Sequence, residues 1–85
     1  MQDYSRLINE MLGQVYQDRR LYRCLCEEIR INPDRIKILY NIVMNYDRMS
    51  REEIREKAYR YAKLIESEDL LARQIFLCLL RLAGK

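Results

Sequence analysis

The sequence predicts an all-α fold, a compact bundle of four helices. Three observations carry that expectation. Thr and Trp are absent, Gly occurs twice and Pro once, so turn residues are too scarce for the many turns of an all-β domain. Leu, Arg and Glu are abundant, and all three favour helices. Apolar residues make up 49% of the 85, enough for a core, and they recur at spacings of three and four rather than two. Residues 1–85 read as a single helical domain. A chain this short buries only ~60% of its extended surface, so it depends on a good core or on a partner.

The first helix is expected over residues 4–30, capped by Asp3 or Ser5. Tyr4, Ile8, Met11, Val15, Asp18, Tyr22, Leu25 and Ile29 alternate at four and three, a heptad-like seam with one polar interruption. One long helix, kinked near Asp18, is preferred over two helices with Asp18 capping the second. The second helix is expected over residues 32–46, with Asn32 as N-cap, Pro33 at the first helical position and Asp34 in the first turn. Its polar residues Asp34, Lys37, Asn41, Asn45 and Arg48 form one narrow stripe, and the rest of its surface is apolar. Such a helix is read as central, with neighbours packed around it.

The third helix has the sharpest local signal. Ser50 and Glu53 have the spacing of a capping box, and Met49 and Ile54 sit where a hydrophobic staple would. Its inward face is read as Ile54, Ala58, Tyr61, Ala62 and Ile65. Ser67 is expected to cap the fourth helix, with Glu68 and Asp69 in its first turn and Gly84 at its end. Between Leu70 and Ala83 only Arg73, Gln74 and Arg81 are polar. Two helices apolar nearly all round exceed what so small a domain can surround. Part of the fourth is therefore expected to be covered from outside.

Residues that carry chemistry are few. There is no His, which removes the commonest general base and metal ligand and every His-based triad. Ser5, Ser50 and Ser67 all stand at helix starts, where capping explains them. Cys24 and Cys26 point about 200° apart on a helix and cannot share an ion, and Cys78 lacks a companion at zinc-site spacing. Reduced thiols in a cytoplasmic protein are the expectation. Gly13 and Gly84 stand alone, so no phosphate loop exists. Glu27–Glu28 and Glu52–Glu53 are read as solvated surface acids. No enzyme activity, catalytic residue, metal, cofactor or small-molecule substrate is expected. The longest apolar run, Ile75 to Leu80, is too short to span a bilayer, so no membrane role is expected either.

Net charge is +3, too small to imply nucleic acid by itself. Arg19, Arg20 and Arg23 nevertheless interleave with Tyr16 and Tyr22, as phosphate-contacting and stacking surfaces do. The plainer reading pairs these arginines with Asp18 and Glu27. Residues 36–46, 50–62 and 67–83 also have the outline of a helix-turn-helix. Its reading helix, however, would begin with acids and offer bases little beyond Arg73 and Gln74. No motif is specific enough to name a family.

The function expected is that of a non-catalytic interaction module. It would be a small accessory subunit or adaptor docking a larger protein, in the setting of replication, transcription or repair. The docking face expected is Leu71, Ile75, Phe76, Leu79 and Leu82, the anchors of an apolar helix. On that reading Phe76→Asp abolishes binding and leaves helicity intact. The rival readings are a nucleic-acid-binding protein using Arg19, Arg20 and Arg23, and a homodimeric regulator self-associating through the last helix.

Overall fold

In the computed structural model, which describes residues 3–65 and 70–84, every regular element is helical. Five α-helices follow in order: α1 (Ser5–Gln14), α2 (Arg19–Ile31), α3 (Ile36–Asn45), α4 (Arg51–Ile65) and α5 (Leu70–Gly84). Single 3-10 turns, Pro33–Arg35 and Tyr46–Arg48, bracket α3.

The expected long first helix is two helices. The chain turns after Gln14, with Asp18 N–H donating to the Val15 carbonyl (2.9 Å). Asp18 is then extended, and its carboxylate accepts from the Leu21 amide (3.0 Å), as an N-cap does. Inside a continuous helix that side chain would have no such donor, and aspartate is a poor interior residue. The break therefore falls on the one polar position of the seam. It also resets the buried face: Met11 and Val15 are buried before it, Leu21, Leu25 and Glu28 after it. At the N-terminus Asp3 is the acceptor, taking the Ser5 amide (2.9 Å).

Asn32 does not cap the next helix. It ends α2, its backbone N–H donating to the Glu28 carbonyl, and its side-chain amide donates to Glu28 Oε2 (3.0 Å). Pro33 and Asp34 then form a 3-10 turn rather than a first α-turn. Arg35 reaches from that turn to the Leu64 carbonyl at the end of α4 (3.2 Å), satisfying a backbone acceptor that the helix leaves open.

α4 begins as its sequence predicts. The Glu53 amide donates to Ser50 Oγ (3.1 Å), and the Ser50 amide donates to Glu53 Oε1 (3.3 Å). Ile54 is buried in the core, and Met49 packs against that core half-buried. Of the expected inward face, Ile54 and Tyr61 are buried, Ala58 and Ile65 half-buried, and Ala62 exposed. The expected cap at Ser67, with Glu68 and Asp69, lies outside the described residues.

The helix that organises the core is α5, not the stretch 32–46. α5 packs along α2 on one side and α4 on the other, while α3 packs mainly on α1. α4 and α5 run antiparallel and side by side. The Tyr61 and Phe76 rings lie 5.5 Å apart at mid-length, and Arg51 lies against Gly84 at one end. This is a helical hairpin rather than the steep crossing of a helix-turn-helix. The radius of gyration is 11.8 Å, against about 12 Å expected for a compact chain of this length.

Candidate docking groove

The expected docking residues divide by burial. Ile75, Phe76 and Leu79 are buried among α2, α4 and α5, and Leu71 and Leu82 are half-buried. Folded as it is, the chain offers a partner neither Ile75 nor Leu79, and of Phe76 only the little that lines the groove on the α4 side. An apolar helix gives only a narrow sequence signal for which of its apolar faces turns inward. The face farthest from Arg73 and Arg81 is the core face. Phe76→Asp would put a carboxylate against Tyr61 and would be expected to cost folding rather than binding alone.

The apolar surface that remains outward lies on the other side of α5, over the seam with α4. Leu70 is 71% exposed, Leu77 52% and Tyr59 63%. With Ala58, Ala62, Ile65, Ala72, Arg73, Phe76 and Leu80 they line an open groove of about 710 Å³. Three alanines, Ala58, Ala62 and Ala72, make its low parts, and the larger side chains stand around them. Among the described residues, Arg73 is the only charged one in the lining. It is exposed and makes no ion pair among the described residues. Lys63 holds its ammonium 4.6 Å from the centre of the Tyr59 ring, placing a second cation at the rim. The chain matches no family model, no curated protein and no solved structure. A reading of function therefore rests on this groove and on the other surfaces of the molecule.

Arg19, Arg20 and Arg23 are all exposed on the first turns of α2. The acids expected to neutralise them are engaged elsewhere: Asp18 with Arg81 (3.6 Å) and the Leu21 amide, Glu27 with Arg30 (2.7 Å). Tyr16 is 73% exposed, with its ring edge-on to Tyr22 at 6.2 Å.

The thiols do not gather. Cys26 is exposed, Cys24 half-buried and Cys78 buried. Burial pushes the Cys78 thiol above its ordinary pKa, and burial does the same to Cys24 against the opposing pull of Arg20. Both therefore stay in the protonated form, which is the poor nucleophile.

Glu28 is the residue that the sequence reading misplaces. Its neighbour Glu27 is a surface acid as expected, but Glu28 is fully buried. The Tyr61 hydroxyl and the Asn32 side-chain amide both donate to Oε2. Leu21, Leu25 and Glu28 are spaced four and then three, so Glu28 continues the buried face of α2. That spacing was in the sequence. What the sequence lacked was any sign that Tyr61, 33 positions away, would supply the donor.

Proposed function

We propose that the chain is a non-catalytic protein-interaction module, a small accessory subunit or adaptor that docks a larger protein through the α4–α5 groove. The observation that carries this reading is the clustering of Leu70, Leu77 and Tyr59, all more than half exposed, around small residues on one seam. Scattered exposed apolar side chains are ordinary; a cluster lining a concave surface marks an interaction site. The reading keeps α5 as the docking helix and moves the contact from its inner to its outer face.

The test compares tagged wild type with Leu77→Asp in native lysate after nuclease treatment. Leu77 points outward, so the variant should keep its helicity and melting profile. A stoichiometric protein that accompanies the wild type and is missing from Leu77→Asp is the expected result. An identical set of proteins on both would overturn the reading.

A second reading is supported by Arg19, Arg20 and Arg23, which stand exposed beside Tyr16 without ion partners among the described residues. Here the chain contacts nucleic-acid phosphates through α2. The two readings combine in an accessory subunit of a replication, transcription or repair enzyme. Binding that stays flat between low and moderate salt would remove the second reading.

A further inference from the structure

We infer that the occupant of the α4–α5 groove is an amphipathic helix of another protein, and that an aspartate or glutamate of that helix pairs with Arg73. The inference rests on the docking reading and names the partner's chemistry. The walls of the groove are two helices, whose backbone groups are bonded within themselves. They offer no ladder of donors and acceptors to an extended strand, so a strand would lose hydrogen bonds to water on docking. A helix brings its own backbone already satisfied. Ala58, Ala62 and Ala72 leave room between the taller side chains, as ridges-into-grooves packing needs. On α5 the lining runs from Leu70 to Leu80, about 15 Å at the helical rise. That length takes roughly three turns of an occupant, with apolar anchors at i, i+3 or i+4, and i+7.

Charge decides between a foreign helix and a second copy. Among the described lining residues the single charge is the Arg73 guanidinium, and Lys63 stands at the rim on Tyr59. No described acid lines the groove. Two copies meeting groove to groove would bring like charges together, whereas an acid on the occupant would meet a guanidinium that has no ion partner among the described residues. The sequence between α4 and α5 holds Glu66, Glu68 and Asp69, so the claim is confined to Arg73 and its own turn of the groove.

The experiment pans a displayed library of helix-forming peptides. Leucines are fixed at i, i+3, i+4 and i+7, and the flanking positions are randomised. Binders are then measured against wild type, Leu77→Asp and Arg73→Glu, each checked for unchanged helicity. The expected winners carry Asp or Glu at one recurring position and lose affinity about tenfold or more on Arg73→Glu. Lys at that peptide position should recover affinity for Arg73→Glu. Winners that weaken on Leu77→Asp but carry no recurring acid and ignore Arg73→Glu would overturn the inference and leave the docking reading standing. An absence of binders sensitive to Leu77→Asp would overturn both. Sedimentation showing a wild-type dimer that Leu77→Asp dissociates would make a second copy the occupant, and would overturn the inference too.

Discussion

Glu28 is a glutamate wholly shielded from solvent. A carboxyl group taken from solvent is tolerated only where donors replace the lost hydration. Tyr61 and Asn32 do this from two different parts of the chain. Deleting the tyrosine hydroxyl should therefore be costly although the change is one atom. Tyr61→Phe is expected to lower unfolding stability by about 1–3 kcal/mol, read by urea denaturation at neutral pH. Glu28→Gln in the same background should add less than its cost alone, because the two residues share one interaction. Strict additivity would show that the hydroxyl and the carboxyl act independently. The positions of Leu21, Leu25 and Glu28 make the inward placement legible from sequence. The identity of the donor depends on which helices become neighbours, and no local pattern encodes that.

Among the helices, local chemistry is the best guide where it satisfies backbone groups. Ser50 and Glu53 identify the start of α4 because each can reach the other's amide within one turn. Asp18 carries the same kind of information. It is obscured by a hydrophobic seam whose spacing runs straight through it, and the capping bond outweighs the continuity of that seam. Two substitutions separate the roles of Asp18. Asp18→Asn keeps an acceptor for the Leu21 amide and loses the 3.6 Å contact with Arg81, whose side chain is 62% exposed; such surface pairs contribute about 0–1 kcal/mol. Asp18→Ala loses the cap as well and should cost about 1 kcal/mol more, seen as a lower melting temperature. Equal melting temperatures for the two variants would show that the cap contributes nothing to α2. The orientation of α5 is harder to read for the opposite reason. A helix apolar all round has no polar stripe wide enough to orient it, although Arg73 and Arg81 bracket Leu77 at steps of four and so mark the outer side.

At the scale of the molecule, two surfaces among the described residues differ in kind. One is an apolar groove between α4 and α5; the other is a row of guanidinium groups at the start of α2. If Arg19, Arg20 and Arg23 each neutralise one phosphate, affinity for a single-stranded oligonucleotide should fall with salt at a logarithmic slope of roughly −2. Replacing all three by Gln should flatten that slope, whereas Leu77→Asp should leave it unchanged. A slope insensitive to the triple replacement would place any nucleic-acid contact elsewhere. The all-α class followed from composition and periodicity. Which elements pair could not, because α3 and α5 are each apolar enough to have packed against any other helix.

The pairing that the chain adopts has a consequence for its synthesis. The main neighbour of α2 is α5, and α5 does not begin until Leu70. Leu21 and Leu25 therefore have no lasting cover while the ribosome is still making α3 and α4. Domains often collapse from the N-terminus as they emerge. Here α1 and α3 can close on each other early, but the inward face of α2 must wait for the fifth helix.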